Sequence, residues 1–247
     1  MKLTLLGCGH GTPEPDFAST AMLLEAGENN YLIDCADGTA LNLIKRGLDP
    51  AQLSAVMITH THLDHTAGLP EVIRLGMKAR KSYPEIDSRY LLADIRGAEI
   101  LRSWIDLNGY KGTENLKFSP VADGYMDSVL QMRAVPTRHL MPASDKSYSL
   151  VVEAENKKIF FSGDLVSDFS DFSIADADGS DLVVVELTHY PIAKALPLLE
   201  QLKVGKLFFN HRGGFYQREE GILATLEACA GLPYPVVLGT DGMVIEI

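Results

Sequence analysis

Nothing in this 247-residue chain approaches the roughly 20 consecutive apolar residues with which a helix crosses a bilayer, so a membrane partner is not expected. Its start does not read as a secretory leader either. Met1-Lys2-Leu3-Thr4-Leu5-Leu6-Gly7 carries too short an apolar run before glycine, proline and acidic residues, and reads as a first strand. Cysteine is scarce: Cys8, Cys35 and Cys229 are odd in number, far apart and in no paired motif. That argues against a disulfide framework or a cysteine-rich metal site and fits a reducing cytoplasm. Positive charge is short as well, with 22 Lys and Arg against 33 Asp and Glu and a formal net charge of -11. Tight binding to a long polyanion requires a dense basic surface, so long nucleic acid is not the expected ligand. A small anionic substrate remains compatible, because local charge and metal ions decide that case. Low-complexity segments, flexible linkers and fixed-period repeats are missing too.

What the chain does have is 46% hydrophobic residues, enough for a substantial core, and one domain over residues 1-247 is the expectation. Apolar runs of strand length recur at Leu3 to Leu6, Ala21 to Leu24, Tyr31 to Ile33, Ala55 to Ile58, Leu150 to Val152, Ile159 to Phe161, Leu182 to Val185, Leu207 to Phe209 and Val236 to Leu238. Helical spacing marks Ala40 to Arg46, Ala98 to Leu107, Ile192 to Leu202 and Glu219 to Ala230, three of them followed by a glycine that can cap the helix. Glu153 to Lys158 reads as a hairpin turn. The alternation indicates an α/β fold, sheets covered by helices. Residues 76-125 are the least regular stretch; ordinary surface helices with core contacts are the first reading, and a lid or substrate wall over the cleft is the alternative.

The densest chemistry lies in Ile58-Thr59-His60-Thr61-His62-Leu63-Asp64-His65, three imidazoles and a carboxylate within six positions after an apolar strand. Neutral imidazole suits transition metals, and a carboxylate completes or bridges a coordination shell. Histidines one residue apart cannot share a helix face, so His60 and His62 belong to an extended segment leaving a strand. Gly68-Leu69-Pro70 then reads as the start of a helix. Other strands also end in ligand-type residues: Phe161 leads to Asp164, Val185 to Glu186 and His189, and Phe209 to His211. Functional groups collect in such loops because a rigid sheet fixes them.

Taken together, His60, His62, Asp64 and His65, with His139, Asp164 and His211 downstream, resemble the His-x-His-x-Asp-His pattern and distant ligands of the metallo-β-lactamase superfamily. The segments Leu5-Leu6-Gly7-Cys8-Gly9-His10-Gly11-Thr12-Pro13 and Leu32-Ile33-Asp34-Cys35-Ala36-Asp37-Gly38-Thr39 look like its ribonuclease Z and phosphodiesterase branch. The resemblance implies a four-layer αββα sandwich. It assigns His60, His62 and His139 to one ion, Asp64, His65 and His211 to a second, and Asp164 to a bridge between them. Asp34 would orient ligand histidines. Zinc is the expected metal, with manganese and iron also suited to the donors. A homodimer is implied by the same likeness.

The reaction expected is hydrolysis of a small or cyclic phosphodiester by a metal-bridging hydroxide, with two ions about 3.5–4 Å apart and Asp64 essential. Glu186-Leu187-Thr188-His189 stands where related enzymes keep a Glu and a His near the leaving group, so His189 is the candidate proton donor. The separate His-Glu-Ala-Thr and His-Ser-Thr elements of the family are replaced here by this single compact motif. Arg212 is a weak candidate for contact with a substrate anion, and His10 reads as a surface or loop-stabilising residue. Three alternatives stand beside this reading. The same metals could open a lactone or ester. Ribonuclease Z-type processing of tRNA 3′ ends is disfavoured by the acidic charge and the lack of a long basic, Gly/Pro-rich arm. A non-catalytic protein could keep the metals as a structural clamp.

Overall fold

The computed structural model describes residues 1–12 and 14–247. Its strands are β1 (Lys2–Gly7), β2 (Ala21–Ala26), β3 (Asn29–Ile33), β4 (Leu53–Met57), β5 (Arg89–Leu92), β6 (Lys117–Pro120), β7 (Tyr125–Met126), β8 (Leu130–Pro136), β9 (Tyr148–Ala154), β10 (Lys157–Phe161), β11 (Leu182–Leu187), β12 (Leu207–Arg212), β13 (Val236–Leu238) and β14 (Val244–Glu246). Its helices are α1 (Thr39–Ile44), α2 (Leu63–Thr66), α3 (Leu69–Ala79), α4 (Gly97–Leu107), α5 (Ile174–Ala177), α6 (Ile192–Leu199), α7 (Gly214–Gln217) and α8 (Glu219–Ala228). No helix among the described residues is long and apolar enough to cross a membrane.

Two seven-stranded sheets form the centre, in the orders β14-β1-β2-β3-β4-β5-β6 and β13-β12-β11-β10-β9-β8-β7. Each changes from antiparallel to parallel pairing partway across: at β3/β4 in the first, at β10/β11 in the second. Alternation explains the layers, because successive side chains of a strand point to opposite faces. On β4, Ala55 and Met57 face the second sheet while Val56 turns outward. On β11, Val184 faces inward, and Val183 and Val185 turn outward. Both faces are buried, so these strands read as unbroken apolar runs. The inner core joins Leu3, Leu5, Met22, Leu24 and Ile33 to Leu150, Val152, Ile159, Phe161 and Phe208. Helices α1, α3 and α4 cover the first sheet through Leu43, Val72, Ile73 and Ile105. Ala195 and Leu199 of α6 cover the second, with Cys229 at the end of α8. The result is the expected αββα sandwich.

Several boundaries differ from the sequence reading. The hairpin falls at Glu155-Asn156, both with positive φ (51° and 58°), the conformation of a two-residue primed turn. Helix α6 ends at Leu199 rather than Leu202 and contains Pro197, which removes one helical donor. Within residues 76-125 lie two strands, β5 and β6, which extend the first sheet in parallel register, and α4, which packs on its outer face. All three cysteines are free and buried.

Candidate metal centre

The parallel strands β3 and β4 of one sheet and β10, β11 and β12 of the other bring their carboxyl ends to the same seam. Asp34 follows β3, the cluster from His60 to His65 follows β4, Asp164 follows β10, and Glu186 and His211 lie at the ends of β11 and β12. Residues 60 to 62 form the loop that leaves β4, His62 is extended and Leu63 begins α2, so Asp64 and His65 fall on its single turn. Pro70 sits in the first turn of α3, as its spacing predicts.

Two backbone distortions aim side chains at the seam. Phe208 faces the inner core and Phe209 the outer one, so straight alternation would send His211 outward. The β11/β12 register slips there, Glu186 pairing with Asn210 and Leu187 with Arg212, and His211 has φ 48°. Such a bulge inserts one unpaired residue and re-aims its side chain. Asp34 likewise adopts φ 56° directly after β3. Non-glycine residues in this region carry a conformational cost that functional sites often retain.

The donors gather in three overlapping or adjoining groups: His60, His62, His139 and Asp164; Asp64, His65 and His211; and Asp164, His189 and His211, with the donor atoms of each group within 4.8 Å of one another. His60, His65, Asp164 and His211 are at most 3% exposed. Their site-facing atoms, His60 Nε2, His65 Nε2, His211 Nδ1 and both Asp164 carboxylate oxygens, are buried without a hydrogen-bond partner among the described residues. Leaving so many polar atoms unpaired costs several kcal/mol in an apolar interior, whereas a cation satisfies all of them at once. The nitrogen- and carboxylate-rich set therefore fits divalent metal.

Each inner histidine is held from behind, which fixes its ring and tautomer. Nδ1 of His65 donates to Asp34 Oδ2 at 2.8 Å. His60 Nδ1 lies 3.2 Å from Thr59 Oγ1, whose hydroxyl donates to Asp34 Oδ2 at 2.9 Å, and the Thr59 amide donates to Asp34 Oδ1 at 2.8 Å. His139 Nδ1 donates to the Leu165 carbonyl at 3.3 Å. Thr59 and the Leu165 carbonyl were not anticipated; a backbone oxygen leaves no mark in sequence, but Thr59 stood inside the motif. Burial opposes charge on His65, yet the Asp164 and Asp34 carboxylates raise its pKa well above the ordinary histidine value. Burial favours neutral Asp164, and the charges of His211, His65 and His60 outweigh it, holding the carboxyl well below its usual range.

His189 stands beside this centre, its ring 4.5 Å from that of His139 and its Nδ1 3.0 Å from Glu186 Oε1. Burial disfavours the imidazolium, but the Glu186 bond and charge, aided by Asp164, prevail and raise the pKa to about 9. Glu186 is itself fixed by the amides of Leu165 (3.2 Å) and Thr188 (2.7 Å). Arg212 is placed elsewhere: it is 1% exposed, with its donors on the carbonyls of Tyr216 and Gly239 and its guanidinium over Phe17. It ties down the start of α7, and the strand bulge that turns His211 into the seam separates the two neighbours. His10 lies closer to the centre than expected, in a loop whose Gly11 could not carry a Cβ without approaching Asp64 Oδ2 to 3.0 Å. A groove of about 670 Å³ runs alongside, lined by Thr61, Leu63, Leu69, Leu92, Ile100 and Leu101.

Residues 1–188 match the family described as anti-Pycsar protein Apyc1. Ribonuclease Z of Mycobacterium bovis is 41% identical over 73 residues, 30% of this chain and 26% of that protein. Ribonuclease Z of Prochlorococcus marinus is 28% identical over 157 residues, 58% of this chain and 47% of that protein. The chain thus spans at most about half the length of these curated relatives. Among solved structures, the metallo-β-lactamase fold protein YhfI from Bacillus subtilis superposes with a TM-score of 0.78 at 18% identity, covering 100% of this chain and 99% of that one.

Proposed function

Given that the chain belongs to the anti-Pycsar Apyc1 family and has the metallo-β-lactamase fold, we propose that it is a metal-dependent phosphodiesterase acting on a small or cyclic phosphodiester. The observation that carries this reading is the Glu186–His189 pair set against the metal donors, 3.0 Å apart and adjoining His139. A diester with a poor leaving group needs a proton delivered to the departing oxygen, and this pair is placed to deliver it.

His60, His62 and His139 would hold one ion and Asp64, His65 and His211 a second, with Asp164 available to both. Bound divalent ions, zinc by preference with manganese and iron also suited, supply Lewis acidity toward phosphoryl oxygens and activation of water. The chain's own residues do the rest. Asp34, Thr59 and the Leu165 carbonyl keep the ligand rings at fixed angles, so little reorganisation is needed when charge develops. Glu186 holds His189 protonated at Nδ1 and oriented, leaving Nε2 to give its proton to the leaving ester oxygen. Leu92, Ile100 and Leu101, from the 76-125 stretch, form the apolar substrate wall beside the centre. The formal charge of -11 favours a small substrate over a long polyanion.

The test is hydrolysis of bis(p-nitrophenyl) phosphate by protein loaded with zinc or manganese. Metal-dependent turnover that disappears in Asp64→Ala is the expected result. Absence of turnover in protein that demonstrably holds its metals overturns the reading and moves lactones and esters forward.

A further inference from the structure

His10 and Glu14 form a second histidine–carboxylate pair, on the loop that leaves β1. Glycines let the chain pack closely here: a Cβ on Gly7 would lie 2.1 Å from the Ser19 carbonyl, and one on Gly11, beside the metal centre, would lie 3.0 Å from Asp64 Oδ2. His10, between Gly9 and Gly11, follows the loop to the Asp64 side. Its Nδ1 faces the Thr12 amide at 3.5 Å, so in the neutral ring the hydrogen resides on Nε2. That Nε2 is buried and has no hydrogen-bond partner among the described residues. Glu14 Oε1 is 3.9 Å from it, too far for a direct hydrogen bond. Across from both lies Gly214, where a Cβ would stand 3.0 Å from Glu14 Oε1 and 4.0 Å from His10 Nε2.

A donor and an acceptor 3.9 Å apart are complementary to one oxygen that accepts from the first and donates to the second, within ordinary hydrogen-bonding distance of each. A hydroxyl does both. A phosphoryl oxygen does not, since it has no hydrogen for Glu14 and shares its charge. Resting on the phosphodiesterase reading above, we propose that His10 and Glu14 are substrate-positioning residues that read a hydroxyl group next to the scissile phosphodiester, such as a sugar hydroxyl. This pair lies on the Asp64 side of the centre, and the Glu186–His189 pair lies against His139 and His211. The two pairs divide the substrate between them: one holds the retained part, the other serves the leaving oxygen. A site whose buried polar groups are matched by a hydroxyl discriminates against the analogue that lacks it, because those groups are then left unpaired.

The experiment compares kcat/KM for a ribonucleoside 3′,5′-cyclic monophosphate and its 2′-deoxy analogue in the metal-loaded wild type and in His10→Ala, His10→Gln and Glu14→Gln. Bis(p-nitrophenyl) phosphate, which carries no hydroxyl, is assayed alongside. Wild type should prefer the ribonucleotide by roughly 10- to 100-fold, the size of a hydrogen bond to a charged group. His10→Ala and Glu14→Gln should bring the ratio close to one, while His10→Gln, which keeps a donor, retains part of it. Because the readout is a ratio within each variant, a general loss of activity or of folded protein cancels. Turnover of both cyclic substrates with a wild-type ratio near one, or a preference that survives His10→Ala and Glu14→Gln, overturns this inference alone. No turnover of any diester overturns it together with the phosphodiesterase reading.

Discussion

His65 Nδ1 and Asp34 Oδ2 lie 2.8 Å apart, both residues at most 1% exposed, joining the end of β3 to the turn of α2. The same carboxylate receives Thr59, which backs His60, so one acid sets the angle of a ligand in two of the donor groups. Removing a group that orients metal ligands commonly lowers metal affinity 10–100-fold. Asp34→Ala is expected to do so, with the sheets intact by far-ultraviolet circular dichroism. Competition against a chromophoric chelator measures it, and wild-type affinity in the variant would remove Asp34 from this role.

Metal binding should also be visible as stability. A ligand present at about 100 times its Kd adds about 2.7 kcal/mol, provided that the unfolded chain does not bind it. For a domain of this size, that shifts Tm by roughly 5–10 °C. Chelator-treated protein is therefore expected to melt at least that far below the zinc-loaded form. Asp164→Asn, which alters the buried carboxylate that faces His60, His65, His139 and His211, should abolish most of the difference. Equal melting temperatures with and without metal would contradict the site.

His189→Ala separates acid catalysis from metal catalysis through the leaving group. With an alkyl ester the loss is expected to be roughly 10²–10⁴ in kcat, the usual contribution of a positioned proton donor. With a p-nitrophenyl ester it should be much smaller, because p-nitrophenolate departs without a proton. Glu186→Gln should show the same pattern in weaker form. Equal losses on both substrates would mean that His189 shapes the site without transferring a proton.

At the far end of the sandwich, Asp127 collects the hydroxyls of Tyr31 (2.8 Å) and Tyr125 (2.9 Å) and the amides of Val129 and Leu130 (both 2.8 Å). It links β3 of one sheet to the β7–β8 turn of the other. Burial pushes its pKa up, but the Leu130 and Val129 amides and the two tyrosines prevail, so the folded value lies below the ordinary 3.8. A depressed carboxylate stabilises the fold above the unfolded pKa and loses that contribution as pH falls through the folded one. Asp127→Ala is expected to cost about 2–3 kcal/mol at neutral pH by urea unfolding, with the gap from wild type closing below pH 3.8. A gap independent of pH would assign the effect to packing.

The strands that carry ligands were legible because they are buried on both faces and stand out as runs such as Ala55-Val56-Met57-Ile58. Among the edge strands β13 was legible as Val236 to Leu238, but β6 and β7 were not. Strand β6 is partly exposed and ends in Pro120, and β7 has only two residues, so neither offers a run to read. Strand β8 did carry a signal that went unread: Leu130 and Met132 buried against Gln131 and Arg133 exposed, a clean alternation of period two. At the centre, ligand identity was readable from the motif, but the left-handed turns at Asp34 and His211 were not, since no glycine marks them. Nor was the burial of Arg212, because adjacency in sequence to His211 suggested a shared surface that the bulge denies.

The ligands divide between the two halves of the sandwich. His60, His62, Asp64 and His65 hang from the first sheet; His139, Asp164 and His211 hang from the second. An ion gripped from both sides acts as a rivet against sliding of one sheet over the other, at the end of the seam where the backbone ladders have already stopped. Stripping the metal should consequently leave the middle of each sheet as slow to exchange its amide hydrogens as before. The turns after β4, β10 and β12 should open first, as a local breathing of the seam well short of global unfolding.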